Sequence, residues 1–274
     1  MPIHFHKFDG AGNDFVIVDA RKGSNNNEID ARSDISELST EVIARICHRR
    51  FGVGADGLML LADAPEGYDF AMRYFNSDGG PADMCGNGGR CIALFAHLLG
   101  IGRKVGEEVR LRFLADDGPH TAAILRWDGE IGKGWVQLSM RDVPKAGLRS
   151  LMQGHLLNTG VPHYVQQVGH LDPYDVVGEG RRLRHHPDMG PEGANVDFVE
   201  LAPDGILNVR TYERGVEDET WACGTGVTAC ALVTGCRRLR TRGGYFEVSF
   251  RTTPTAYTDI CLTGPVSYNF KGTI

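Results

Sequence analysis

The sequence predicts an α+β protein of two pseudo-symmetric halves, each rich in strands and each carrying one central helix. Two observations point to it. First, one pattern occurs twice, 138 residues apart. Tyr74-Phe75-Asn76 leads to MCGNGGRC (Met84 to Cys91), and Tyr212-Glu213-Arg214 leads to ACGTGVTAC (Ala222 to Cys230). The tyrosine stands eleven residues before the first cysteine in both copies. Second, each Cys-Gly-x-Gly corner opens a run of small and apolar residues that reads as a buried helix, set among short β-branched segments that read as strands. The expected halves are 1–138, rejoined by 263–274, and 139–262.

The elements follow in order. Phe15 to Asp19 (FVIVD) reads as a strand after the Gly10-Ala11-Gly12-Asn13 turn. Ser24-Asn25-Asn26-Asn27 reads as a surface loop. Ser39 or Thr40 caps a helix through Glu41, Ile43, Ile46 and Cys47. Strands follow at Leu58–Leu61, Phe70–Phe75, Val109–Phe113 and Trp135–Met140. Gly88 to Leu99 is apolar nearly all round and ends at Gly100, as a buried helix does. The second half repeats the style, with strands at Tyr164–Val168, Asp197–Leu201, Leu207–Tyr212, Tyr245–Arg251 and Thr258–Leu262. Its helix is expected over Gly224 to Leu239, with Arg237 and Arg238 at the negative end. Ala55 to Leu58 also resembles Val196 to Val199 at an offset of 141.

Composition narrows the function. The chain has 274 residues, 42% hydrophobic and 23% charged, which fits a globular protein with a real core. A net charge of -6 argues against nucleic acid as a partner, and no apolar run is long enough to span a bilayer. Seven cysteines without a secretory signal pattern point to free thiols in a reducing cytoplasm. No close Cys pair offers a zinc site, so no metal is expected. Gly52-Val53-Gly54-Ala55-Asp56-Gly57 matches the dinucleotide pattern GxGxxG. It follows a helix and precedes a strand, however, which reverses the order phosphate binding needs.

The chemistry lies at the two corners. Gly86, Gly88, Gly224 and Gly226 leave backbone N–H groups open at the start of a buried helix, a ready anion site. Two such starts can hold one carboxylate in a single active site between the halves, which makes the adjoining C–H easier to break. The same field is expected to lower the pKa of the Cys85 and Cys223 thiols. One sulfur can then remove a hydrogen while the other delivers one from the opposite face. Cys47, Cys230, Cys236 and Cys261 read instead as structural cysteines.

With these residues the chain resembles the diaminopimelate epimerase family, amino-acid epimerases that use no cofactor. The resemblance runs nearly end to end: GAGNDFVIVD (Gly10 to Asp19), FGVGADG (Phe51 to Gly57), FNSDG (Phe75 to Gly79), MCGNGGRC, GANVDF (Gly193 to Phe198), YERG (Tyr212 to Gly215) and ACGTG (Ala222 to Gly226). It implies mixed, mainly antiparallel sheets, each wrapped round a central helix, and conversion of LL-2,6-diaminopimelate to meso-diaminopimelate in lysine and peptidoglycan precursor biosynthesis. Cys85 and Cys223 become the acid/base pair, with the amides of Gly86, Asn87, Gly224 and Thr225 on the reacting carboxylate. By the same resemblance Asn13 and Glu213 lie near the reacting amino group. Asn76, Asn195 and Arg214 hold the distal end, and His163 stands beside the catalytic centre. The resemblance also implies a homodimer.

Two positions depart from the family pattern. Val161 stands where an asparagine is common, with Asn158 a nearby candidate to replace it, and Gly57 stands where some members carry glutamine. The main rival is a two-thiol racemase of the proline racemase and hydroxyproline epimerase type. Those sequences tend to carry histidine where Asn87 stands and lack the Glu213-Arg214 pair. An isomerase of the phenazine-biosynthesis type would lack the cysteine pair. A thiol redox switch or an amino-acid-binding protein would show no isotope exchange.

Overall fold

The computed structural model describes residues 2–22, 38–82 and 84–274; the Ser24 to Asn27 loop lies outside them. The chain divides into two compact units, Met1–Leu138 with Pro265–Ile274, and Ser139–Gly264.

The first unit opens on β1 (His4–Gly10) and β2 (Asn13–Asp19), an antiparallel hairpin with Gly10 opposite Asn13. Its two loop residues, Ala11 and Gly12, have φ of 60° and 91°. Such loops match the natural twist of the strands, so the turn delivers Asn13 in a defined orientation. Helix α1 (Thr40–Cys47) starts where Ser39 accepts from the Val42 N–H. It buries Ile43, Ile46 and Cys47 against Phe5, Val16, Val18, Leu58 and Leu60. β3 (Gly57–Ala62) pairs parallel with β2 and antiparallel with β4 (Phe70–Asn76). After the short β5 (Pro81–Ala82) comes α2 (Gly86–Leu98), buried at every residue from Gly86 to Ala96. Each large side chain buried in this way contributes roughly 1.5–3 kcal/mol. β6 (Arg103–Val105), β7 (Glu108–Ala115), β8 (Gly118–Asp128) and β9 (Lys133–Ser139) complete the unit, with β7 parallel to β4.

The second unit comprises β10 (Val143–Pro144), β11 (Arg149–Leu151), β12 (Gly154–Asn158), β13 (Pro162–Gln167), α3 (Val176–Arg184), β14 (Asn195–Leu201), β15 (Leu207–Glu213), β16 (Asp218–Thr220), α4 (Gly224–Thr234), β17 (Arg238–Thr241) and β18 (Gly244–Thr252). β19 (Ala256–Thr273) begins here and ends in the first unit. The arrangement repeats that of the first unit. β13 runs parallel to β14, β14 antiparallel to β15, and β15 parallel to β17. Helix α4 is buried along most of its length, as α2 is. Both units are therefore mixed, mainly antiparallel sheets around a buried helix, the α+β architecture expected.

Three sequence readings need correction. Helix α4 ends at Thr234, because Gly235 turns left-handed at φ 77° and caps it. Arg237 and Arg238 are thus exposed and outside the helix. The helix starts also replace the offset of 141 with 138: a Cβ at Gly88 would meet Met59, and one at Gly226 would meet Asp197, each 138 residues further on. Gly57 faces Phe15 across β2 and β3, while Asn195 faces His163 across β13 and β14. Asp56 is consequently no counterpart of Asp197. Finally, the sequence does not predict α3 or β8: α3 carries two glycines, and β8 carries Ala122 and Ala123.

Candidate active site

At the first corner Cys85 is half-buried and is the N-cap of α2, with extended backbone and no side-chain cap hydrogen bond. The first helical bond runs from the Gly89 N–H to the Cys85 carbonyl, leaving Gly86, Asn87 and Gly88 to direct their N–H groups off the helix end. The β1–β2 turn packs directly on this end, where a Cβ at Gly10 would lie 2.9 Å from the Asn87 carbonyl oxygen. Asn13 therefore reaches the corner. Its Oδ1 faces the Cys85 sulfur at 3.7 Å and the Asn87 Nδ2 at 3.4 Å. Its Nδ2 donates to Asp56 Oδ2 at 2.6 Å, which fixes the amide with its oxygen toward the thiol. Asp56 also takes Arg49 Nη2 at 2.6 Å, and Arg49 binds Asp14 in turn. Asn87 is held from beneath by the wholly buried Arg90, whose Nη2 donates to its Oδ1 at 2.9 Å. Asn76 is exposed where β4 ends, in a turn closed by the Gly79 N–H on its carbonyl.

The second corner has the same backbone and different surroundings. Cys223 is the N-cap of α4 and is buried. Its sulfur meets the Thr225 hydroxyl at 3.3 Å. That hydroxyl lies 2.9 Å from His163 Nε2, and His163 Nδ1 lies 2.7 Å from Asp197 Oδ2. Thr211 donates to the other Asp197 oxygen at 2.7 Å. Asn195 places its Nδ2 3.2 Å from His163 Nε2 and accepts the Arg214 N–H on its Oδ1 at 2.7 Å. The Arg214 guanidinium lies 3.8 Å from Glu192.

Electrostatics here reverse one expectation. Burial pushes the Cys223 thiol well above its ordinary pKa, and the Glu213 and Asp197 carboxylates push it further. The Thr225 hydroxyl and the Gly226 N–H pull the other way and are outweighed. The helix start alone does not make this thiol acidic. Burial likewise raises Cys47, to about 11, and Cys230 and Cys261.

The first corner thus gathers Asn13, Cys85, Gly86 and Asn87, and the second gathers His163, Asn195, Glu213, Arg214, Cys223, Gly224 and Thr225. Sequence reasoning missed Asp56, Arg90, Asp197 and Thr211, which hold these residues. A signal for Asp197 existed: a carboxylate in the otherwise apolar strand Val196 to Val199 needs a partner. Of the two departures, Gly57 has no room for any side chain, since a Cβ would lie 2.5 Å from the Phe75 oxygen and the Tyr74 ring. Asn158 is exposed and accepts the Gly160 N–H on its Oδ1, so its oxygen serves the turn.

A sequence model described as diaminopimelate epimerase matches residues 5–121 and 155–253. The chain belongs to the diaminopimelate epimerase family. A diaminopimelate epimerase from Flavobacterium psychrophilum is 39% identical, covering 98% of this chain and 99% of its own. Another from Chlorobaculum tepidum is also 39% identical, over 97% and 98%. Among solved structures, a phenazine biosynthesis protein of Bacillus anthracis superposes with a TM-score of 0.69 at 17% identity, covering 100% of this chain and 99% of its own. A probable proline racemase of Agrobacterium radiobacter K84, with bound carbonate, gives 0.67 at 16%, covering 99% and 92%. At that identity these likenesses speak for fold alone. The diaminopimelate epimerase family is thus carried by sequence over nearly the whole chain, and its fold is shared more widely.

Proposed function

We propose that the chain interconverts LL-2,6-diaminopimelate and meso-diaminopimelate by a two-thiol acid/base mechanism that needs no cofactor, supplying lysine and peptidoglycan precursor biosynthesis. The observation that supports this most is a cysteine at the start of a buried helix in each unit, in a chain of the diaminopimelate epimerase family. In this reading the N–H groups of Gly86, Asn87, Gly224 and Thr225 bind the reacting carboxylate. The charge that builds up on it when the α-hydrogen leaves is then stabilised in place. A thiolate takes that hydrogen as a proton, and the electron pair passes into the carboxylate. The other thiol returns a proton to the opposite face, so the configuration inverts and the two sulfurs exchange protonation states. Asn13 and Glu213 receive the reacting ammonium group. Arg214, Asn76 and Asn195 hold the distal amino-acid end, the guanidinium because its fork fits a carboxylate.

Seven free thiols fit a reducing cytoplasm, and a homodimer is the assembly the family resemblance implies. Among the described residues no helix is long and apolar enough to cross a membrane.

Purified protein is expected to epimerise LL-diaminopimelate and to leave L-proline unchanged. Cys85→Ala and Cys223→Ala are each expected to lose roughly 10²- to 10⁴-fold in turnover, the scale of one acid/base group. Full activity in either variant rejects the two-thiol mechanism. Turnover of proline with none of diaminopimelate selects the proline racemase alternative.

A further inference from the structure

The two corners differ in what lies behind the helix start. A Cβ at Gly88 of α2 would meet Met59 Sδ at 3.1 Å and the Phe15 ring at 3.5 Å. A Cβ at Gly226 of α4 would meet Asp197 Oδ1 at 2.5 Å and His163 Cε1 at 3.1 Å. Phe15 and Met59 are therefore the counterparts of His163 and Asp197. One unit fills these positions with apolar side chains, and the other with a histidine and a carboxylate, both wholly buried.

The hydrogen bonds set the direction of the chain. Asp197 also accepts from Thr211, so it is an acceptor on both oxygens, and His163 Nδ1 carries the proton between them. Nε2 is then a bare lone pair. Two donors face it, the Thr225 hydroxyl at 2.9 Å and the Asn195 Nδ2 at 3.2 Å, whose amide is oriented by the Arg214 N–H on its Oδ1. This leaves the hydroxyl oxygen to accept from the Cys223 S–H at 3.3 Å. The chain of hydrogen bonds runs from the Cys223 S–H to the Thr225 hydroxyl and from that hydroxyl to His163 Nε2, which accepts.

We propose that Asp197 is a positioning residue which makes Thr225 and His163 a buried store for the proton of Cys223. The proton of Sγ passes to Thr225 Oγ1 while the hydroxyl's own proton passes to Nε2, and sulfur keeps the electron pair. The products are a thiolate, an unchanged hydroxyl and an imidazolium whose Nδ1–H stays on the Asp197 carboxylate. Nothing leaves the buried site, so a sulfur flanked by Glu213 and Asp197 can still serve as a base. The charged and titratable groups facing this chain are Asp197, Glu213, Cys223 and the buried thiol of Cys230. The proposal deepens the two-thiol reading and rests on it for its purpose.

The test uses the full-length protein without substrate, so it stands apart from the identity of the substrate. Rates of carbamidomethylation by iodoacetamide at Cys223 and at Cys85 are followed by peptide mass mapping from pH 6 to 10. Asp197→Asn keeps the shape and removes the charge. The store predicts that Cys223 reacts at least about tenfold more slowly at pH 8, its profile moving to higher pH, with Cys85 unchanged, because the imidazolium has lost its carboxylate. If Asp197 were only a like charge near the sulfur, its removal would speed Cys223 and move the profile to lower pH. Thr225→Val cuts the chain at the hydroxyl with Asp197 in place and is expected to slow Cys223 in the same way. Faster or unchanged reaction of Cys223 in either variant, or equal slowing of both cysteines, overturns the proposal. Absence of diaminopimelate epimerisation by the wild-type protein, with Cys223 still slowed in both variants, would instead reject the functional reading alone.

Discussion

At Asn13 the side-chain amide is divided between a carboxylate and a thiol. Asp56 takes its N–H at 2.6 Å, and the oxygen is left facing Cys85. An asparagine free to flip would present its N–H groups to the sulfur for part of the time. Asp56→Ala is therefore expected to lower turnover by about tenfold or more while leaving the fold intact, since each bond to a charged acceptor carries about 1.5–3 kcal/mol. Steady-state kinetics with far-UV circular dichroism on the same sample check this. Wild-type turnover in Asp56→Ala would show that Asn13 needs no such support. The thiols, glycines and amides of the two corners were legible in sequence because their motifs are local. Asp56 and Asp197 were not, since their partners lie 43 and 34 residues away and are met only through the hairpin turn and the β13–β14 pairing.

The two glycine-opened helices behave differently as elements. Alanine in place of glycine inside a helix gains up to about 1 kcal/mol in propensity. At Gly88 the added methyl meets the end of the flexible Met59 side chain, which can swing aside. At Gly226 it meets Asp197, held by both His163 and Thr211. Gly226→Ala is thus expected to cost roughly 1–3 kcal/mol in urea unfolding, and Gly88→Ala to lie within about 1 kcal/mol of wild type. Equal losses would mean that the dyad behind α4 is no stiffer than the apolar pair behind α2. Element by element, the strands with β-branched runs, such as Phe15 to Asp19, were evident from sequence. Helix α3 (VVGEGRRLR) was not, because two glycines and a Val-Val start are poor helix formers. It is held by the Asp175 cap on the Gly178 N–H and by Gly180, which lies against Tyr212 with no space for a Cβ. Strand β8 was hidden by Ala122 and Ala123, whose type is depleted in strands.

For the molecule as a whole, the duplicated plan surrounds its two thiols with unlike residues, and an ion-paired carboxylate of the first unit contributes to the response to acid. Burial alone would raise the Asp14 carboxyl, but hydrogen bonds from Arg49 and Lys7 and their charges outweigh it and hold the pKa at about 2. A carboxylate depressed from its ordinary value of 3.8 stabilises the folded state above that value. The contribution is lost as pH falls from about 4 through about 2. Thermal unfolding should show a declining Tm over that window, and Asp14→Asn should flatten the decline. An unchanged slope would place the acid sensitivity elsewhere.

Inversion by two thiols at one carbon is the step on which the proposed function depends. Its most direct measure is the reaction of LL-diaminopimelate in heavy water, stopped at low conversion and read by mass spectrometry and NMR. The meso product is expected to carry one deuterium at the inverted carbon, while the recovered LL substrate carries little, since the base that removes hydrogen is not the acid that delivers deuterium. Product that retains its original hydrogen, or deuterium entering recovered substrate as fast as product forms, would contradict it.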